Sequence, residues 1–236
     1  MPELSIVIPF YNEEDNARNV ITCLEQVLRK VDYEIVAVDN GSFDMTGEIL
    51  RSIKSRRLKI VKVEKNVGFG FGVISGLKAA KGAYVGYMWG DNQISPSVVL
   101  DVFKKLKEEG MDLCKIKRMA RDYSFFRKLE SGFYNRLFMR ILFGKITNDV
   151  NGSPKIMKRG IYERLRLESK DWFIDTEVMV KCKCLNARVG EVSAVYAKRR
   201  VGKSKVKFYI AMEFLKNMLK FRFGSLRTFK NSTHNV

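Results

Sequence analysis

One histidine, His234, stands in the whole 236-residue chain, inside the polar tail Asn-Ser-Thr-His-Asn-Val. With no internal histidine, Ser-His-Asp and Cys-His nucleophilic catalysis and histidine-built metal sites are excluded. Acid–base or metal chemistry must fall to carboxylates and amides. Cysteine is scarce as well: Cys23, Cys114, Cys182 and Cys184, of which only the last two are close. The Lys-Cys-Lys-Cys run lacks a second ligand pair at zinc spacing, so the thiols read as reduced, buried or incidental, as in a reducing compartment. No uninterrupted apolar run reaches the roughly 18 residues that span a bilayer. Met-Pro-Glu-Leu-Ser leads straight into a strand pattern with no signal-peptide character. A cytoplasmic protein, soluble or peripheral to a membrane, is expected.

Acidic residues are also in deficit. Against 44 lysines and arginines there are 26 aspartates and glutamates, a net charge of +18. Such a charge attracts polyanions: nucleic acid, anionic lipid or phosphorylated substrates. Charge alone does not choose among them. At 46% hydrophobic and 30% charged residues the composition is globular, and the length suits one domain.

What the chain does contain is an alternation. Leu4–Pro9, Tyr33–Asp39, Leu58–Glu64 and Tyr84–Trp89 are short, β-branched apolar runs, and Leu113–Lys117 is a fifth of the same kind. Between them lie helix-length segments: Glu14–Lys30, Thr46–Lys54, Gly70–Lys81 and Pro96–Glu109. Strands alternating with helices imply an α/β fold with a mostly parallel, Rossmann-like sheet. Further on, Ser124–Phe143, Thr176–Asn186 and Lys205–Phe223 read as helices, the first and last amphipathic and cationic.

Ligands of parallel sheets bind beyond the carboxyl ends of the strands. The expected exits carry Pro9, Tyr11 and Glu13; Asp39, Asn40, Gly41 and Ser42; Asn66 and Gly68; and Gly90, Asp91 and Gln93. Any one of these segments is ordinary turn chemistry. Four in series point to a nucleotide-like ligand.

The series resembles family 2 glycosyltransferases, specifically the polyprenyl-phosphate sugar synthases. Ser5-Ile-Val-Ile-Pro-Phe-Tyr-Asn-Glu-Glu14 is similar to that family's opening strand and turn. Val38-Asp-Asn-Gly-Ser-Phe-Asp-Met-Thr46 is similar to its Val-Asp-Asp-Gly-Ser segment, with Asn40 in place of the second aspartate. Asn66–Gly70, Gly76–Gly82 and Arg199-Arg-Val-Gly-Lys-Ser-Lys205 extend the likeness over about residues 4 to 222. The resemblance implies a GT-A-like fold, a nucleotide-sugar donor (GDP- or UDP-linked), and a polyprenyl phosphate acceptor met at a membrane surface.

The implied metal motif departs from the family. Where the family has Asp-x-Asp-x-Gln, this chain reads Trp89-Gly-Asp-Asn-Gln93, with Trp89 at the first aspartate position. Mg²⁺ or Mn²⁺ can be held by one or two carboxylates when substrate phosphates and water complete the shell. Asp91 and Gln93 are therefore the expected metal ligands.

On the acceptor side, Lys117-Arg118 takes the place of a serine–arginine pair in the family, and Arg127, Ser131 and Asn135 form a polar stripe on an apolar helix. Arg118, Arg127 and Ser131 suit a lipid phosphate, as do Arg199, Arg200, Lys203 and Lys205 around Gly202. Asp175 or Glu177 would serve as general base if the acceptor were a hydroxyl; a phosphate acceptor needs none. The expectation is one domain over residues 1–236: a donor half at 4–117, an acceptor and membrane half at 118–223, and a tail at 224–236. Transfer to a glycan or lipid-linked saccharide hydroxyl is the rival within the fold. A nucleotidyltransferase would carry its glycine-rich loop directly after the first strand, where Pro-Phe-Tyr-Asn-Glu stands here. A basic nucleic-acid-binding module is a third class, but no nucleic-acid-binding motif is visible and the cations are interleaved with apolar runs.

Overall fold

The computed structural model describes residues 1–120, 139–147, 149–196 and 208–233. Among these, one seven-stranded sheet runs in the order β3-β2-β1-β4-β6-β5-β7. Its first half is parallel and contains β1 (Leu4–Phe10), β2 (Tyr33–Asn40), β3 (Leu58–Val63) and β4 (Tyr84–Tyr87). Every residue of β1 is buried, because helices cover both faces of the central strands.

The connecting helices are α1 (Glu14–Leu28), α2 (Thr46–Ser52), α3 (Phe69–Ala79) and α4 (Ser97–Glu108). Their apolar residues follow the helical period. In α1 the buried positions are Ala17, Val20, Ile21, Leu24 and Leu28, and in α4 they are Val99, Val102, Phe103 and Leu106. α1 and α4 pack with one face of the sheet into a core that includes Ile6, Ile8, Phe10 and Ile35. On the other face, α3 packs through Val73 and Leu77 against Val7, Val36 and Val38.

The second half corrects the simple alternating pattern. β5 (Leu113–Ala120) does not pair with β4; β6 (Lys155–Lys158) lies between them, antiparallel to both, and β7 (Val189–Tyr196) pairs parallel to β5. β6 is only four residues long and half lysine, so its sequence shows no apolar strand signal. Lys155 is nevertheless fully buried, because Asp175 pairs with it.

α5 (Arg159–Leu165) and α6 (Ile174–Cys184) follow β6, and α7 (Phe208–Phe223) and α8 (Ser225–Thr233) close the described chain. α6 begins two residues before the expected helix and ends two before its expected end, and it is buried on nearly all sides. Of the expected helix 124–143, residues 139–143 are described, and they are helical. They pack through Met139 and Phe143 into a third cluster with Phe173, Val180, Met218, Phe221, Leu226 and Phe229. The Met218 and Phe221 side of α7 is thus docked on protein, while Leu219 and Phe223 face outward. No helix among the described residues is long and apolar enough to cross a membrane.

Candidate active site

The four exits of the parallel strands converge into one patch. Asn12, after β1, donates its backbone N–H to Ser42 Oγ at 3.2 Å and accepts from the Phe43 N–H at 3.1 Å, which joins the β1 and β2 exits. Asp39, next to last in β2, is buried and accepts the Ser42 N–H at 3.0 Å. Gly41 has φ +77°, and a Cβ there would overlap the Asn66 backbone nitrogen. Only glycine lets the β2 and β3 exits touch in this way.

Asn66 Oδ1 accepts the Gly68 N–H at 2.9 Å, and Asn40 Nδ2 donates to the Gly68 carbonyl at 3.1 Å. An aspartate at position 40 could not make that second bond while ionised. The β4 exit joins through Gly90, where a Cβ would stand 2.5 Å from the Phe10 ring. Pro9 is buried under Gly72 of α3, where a Cβ would stand 3.0 Å from the proline Cβ.

Tyr11 and Phe43 are exposed at the rim, ring centroids 6.1 Å apart in an edge-to-face arrangement. Glu13 anchors the start of α1, with its N–H on Thr46 Oγ1 at 2.9 Å and its carboxylate accepting from Asn16 Nδ2 at 2.7 Å. Asn40 is 2% exposed, and among the described residues no group donates to its Oδ1. This open acceptor at the end of β2 suits a ligand bearing hydroxyl or N–H donors.

At the β4 exit, Asp91 Oδ1 accepts the Gln93 N–H at 3.2 Å, and Asn92 between them sits at φ +56°. Among the described residues no group of three or more His, Cys, Asp or Glu could hold a metal ion. Asp91 and Gln93 fit a hard divalent cation only if substrate oxygens and water complete its shell, which is the ordinary manner of Mg²⁺.

Arg118 approaches the same exit at Trp89, two residues before Asp91. Its guanidinium carbon lies 5.5 Å from the centre of the Trp89 ring, within cation–π range. Asp149 accepts from the guanidinium, from Nη2 at 2.7 Å and Nε at 3.0 Å, and also from the Arg118 backbone N–H at 2.8 Å. Burial raises the Asp149 pKa, but the hydrogen bonds and charge of Arg118 outweigh it and hold the carboxyl below its ordinary value. Lys115, fully buried one turn of strand away, donates to the Asp149 carbonyl at 2.7 Å and pairs with Glu191. Nothing in the sequence marks Asp149 as the partner of Arg118. The signal available was a lone aspartate in a loop.

Asp175 and Glu177, the expected bases for a hydroxyl acceptor, are both buried in ion pairs. Asp175 is 1% exposed, with Lys155 Nζ and the Tyr87 hydroxyl (2.7 Å) both donating to its Oδ1. Burial and the neighbouring carboxylate push the Tyr87 hydroxyl well above its ordinary pKa, and burial pulls Lys155 down against the raising effect of Asp175. Glu177 is equally buried, paired with Lys181 at 2.6 Å and accepting the Glu168 and Ser169 N–H groups. Both carboxylates hold α6 to its surroundings. Arg127, Ser131, Arg199, Arg200, Lys203 and Lys205 lie outside the described residues.

A family model for glycosyl transferase family 2 matches residues 5–166. The chain belongs to this family. It is 28% identical over 224 residues to a dolichol-phosphate mannosyltransferase of Pyrococcus furiosus, covering 92% of this chain and 62% of that protein. It is 27% identical to an uncharacterised glycosyltransferase, YkcC, of Bacillus subtilis, covering 97% of this chain and 69% of that one. The chain thus spans about two thirds of the length of these relatives. The crystal structure of glucosyl-3-phosphoglycerate synthase from Mycobacterium tuberculosis, in complex with Mn²⁺, UDP and glucosyl-3-phosphoglycerate, superposes with a TM-score of 0.71 at 20% identity. That match covers 94% of this chain and 80% of the other. The expected GT-A-like fold is therefore the fold of this chain.

Proposed function

We propose that this protein transfers a sugar from a GDP- or UDP-sugar to a polyprenyl phosphate at the cytoplasmic face of a membrane, inverting the anomeric centre. One observation carries this reading: the four strand exits meet in a single patch that ends at Asp91 and Arg118. A nucleoside would lie over the β1, β2 and β3 exits, with Asp39 and Asn40 as hydrogen-bonding groups and Tyr11 and Phe43 as the aromatic rim. Its diphosphate would reach the β4 exit. Asp91 and Gln93 would hold Mg²⁺ or Mn²⁺ there, supplying charge to the departing diphosphate. The Mn²⁺ and UDP in the mycobacterial synthase structure favour such a donor and ion.

The reaction is a single displacement. An oxygen of the acceptor phosphate attacks the anomeric carbon from the face opposite the nucleotide and forms the new C–O bond. The bond to the diphosphate breaks, and the nucleoside diphosphate leaves with the electron pair. Arg118, oriented by Asp149, places a fixed guanidinium where that negative charge passes. A phosphate acceptor is already an anion and needs no base, which agrees with the burial of Asp175 and Glu177 in ion pairs. The mannosyltransferase relative favours the lipid acceptor. Exposed Ile141, Leu219 and Phe223 accompany exposed Arg140, Lys216 and Lys220 on helical segments of the acceptor half, a combination suited to an anionic membrane surface.

The test is turnover with Mn²⁺ or Mg²⁺, a panel of UDP- and GDP-sugars, and a short-chain polyprenyl phosphate. Nucleotide release that requires the lipid is expected. Turnover that requires a sugar hydroxyl and ignores lipid would replace this reading with the saccharide-acceptor one.

A further inference from the structure

Trp172 is 59% exposed, although its indole is the largest apolar group a protein can bury. Its ring is stacked nearly parallel on Phe69, 4.7 Å between centroids and 12° between planes, so one face is covered and the other is offered outward. Phe69 is the first residue of α3 and follows the Asn66–Gly68 turn of the donor patch directly. It also meets Tyr87, at the end of β4, edge-to-face at 6.4 Å. The indole therefore stands beside the β3 exit, on the flank that leads to β4.

The segment that carries Trp172 is rigidly built. The Phe71 N–H donates to the Lys170 carbonyl at 2.9 Å. At Gly70 a Cβ would stand 2.7 Å from the Asp171 carbonyl oxygen, so only glycine allows the two segments to approach this closely. Asp171 accepts from the Phe173 N–H at 2.8 Å and from Asn217 Nδ2 of α7 at 2.6 Å. The buried Glu177–Lys181 pair fixes the preceding residues, through the Ser169 N–H at 2.8 Å and the Arg166 carbonyl at 2.9 Å. An aromatic side chain held this firmly in water, with a flat face free, has the form of a preorganised stacking surface.

We propose that the outward face of Trp172, backed by Phe69, is the platform on which the pyranose ring of the donor sugar lies. This rests on the nucleotide-sugar reading above and adds to it the residue that senses the sugar rather than the nucleotide. The negative face of the indole attracts the C–H groups on the apolar side of a pyranose. Lys170, two residues before it, and Asn217, bonded to the adjacent Asp171, carry polar groups of the kind that pair with sugar hydroxyls. An isoprenoid chain in the same place would strip water from those polar groups and return no hydrogen bond.

Calorimetric titration of the whole protein, with Mn²⁺ present, separates sugar from nucleotide. UDP, GDP and the matching nucleotide sugars serve as probes for the wild type, Trp172→Ala and Trp172→Phe. The alanine variant is expected to bind the nucleotide sugar about tenfold more weakly while its affinity for the nucleoside diphosphate is unchanged, and phenylalanine restores most of the loss. Equal weakening of both ligands, or of neither, overturns the platform and leaves the donor reading standing. So does a loss confined to the KM for polyprenyl phosphate, which would make the indole a lipid contact. Absence of any nucleotide binding by the wild type would sink the donor reading and the platform together. Unchanged thermal unfolding of Trp172→Ala, expected for so exposed a side chain, guards against a folding defect.

Discussion

Arg118 and Asp149 are locked together: the guanidinium Nη2 and Nε and the backbone N–H of Arg118 all donate to the Asp149 carboxylate. Paired arginines are often structural, but here the guanidinium also lies over Trp89, at the position where the family resemblance places the first metal-binding aspartate. Where the family resemblance implies a second carboxylate, this chain has an indole and an oriented cation. Asp149→Asn keeps the shape and removes the charge, so it tests the orientation. We expect kcat to fall about tenfold or more and the donor KM to change little, with roughly 2 kcal/mol lost in stability.

The same pair has a definite pH signature. The folded-state pKa of Asp149 lies below its unfolded value, so its stabilisation is fully present above the ordinary aspartate range, near about 4. It is lost as pH falls through the lower folded value. The difference in Tm between wild type and Asp149→Asn should therefore be largest at neutral pH and shrink steadily below about pH 4. A gap that widens on acidification would contradict the pairing.

Much of the N-terminal half was legible because its signals are local. The runs that became β1 to β4 are apolar and β-branched, and each ends in turn residues that the chain order brings to one edge. The C-terminal half hides its logic in pairs distant in sequence. Lys155 makes β6 look like a surface segment until Asp175, twenty residues on, is seen to neutralise it. Asp175 itself looked like a base at a helix start, because periodicity cannot show that this helix start is buried. Nothing local marked Asp149 as the partner of Arg118, or Trp172 as the neighbour of Phe69.

Breaking the buried pair on one side should be costly. Asp175→Ala leaves Lys155 charged with no carboxylate beside it, a loss of about 3 to 5 kcal/mol, or roughly 10 °C in Tm for a chain of this size. Asp175→Asn preserves the acceptor oxygen and should be milder. If Asp175 only supports α6, the asparagine variant retains most of its kcat below its unfolding temperature and its pH–rate profile is unaltered. A profile that loses its acidic limb would return Asp175 to the chemistry.

Gly41→Ala probes how the exits are joined. The new Cβ would stand 2.8 Å from the Lys65 carbonyl carbon and nearer still to the Asn66 nitrogen, and the backbone would carry alanine at φ +77°. A destabilisation of about 1 to 3 kcal/mol is expected. Because Asn66 must shift, nucleotide affinity should drop as well. Calorimetry on the folded variant, compared with a stability-matched change in α4 such as Val102→Ala, separates the two effects.

Thiol chemistry offers a check on burial. Burial pushes the Cys182 thiol up to about 12 and the Cys114 thiol to about 11. Neither forms appreciable thiolate at pH 8 in the folded protein. Maleimide labelling followed by mass spectrometry should modify Cys23 first, and Cys114 and Cys182 only after denaturation. Native labelling of Cys182 would mean that α6 is not packed as described.

In the Trp89–Gln93 segment that follows β4, Asp91 is the one acidic residue, and that makes metal dependence a sharp question. A chelator should abolish sugar transfer, and Mn²⁺ or Mg²⁺ should restore it. If Asp91 is the carboxylate ligand, the ion would be held mainly by the donor's diphosphate, so metal and donor should bind with strong mutual dependence. Titrating Mn²⁺ in the absence of nucleotide is then expected to give weak binding, and adding the nucleoside diphosphate should tighten it severalfold. Asp91→Asn should lower kcat by about 100-fold or more and erase that coupling. Gln93→Ala should weaken it and leave part of the activity. If the asparagine variant binds Mn²⁺ and nucleotide with the wild-type coupling, Asp91 is not a ligand, and the charge of Arg118 would have to carry the departing diphosphate without it.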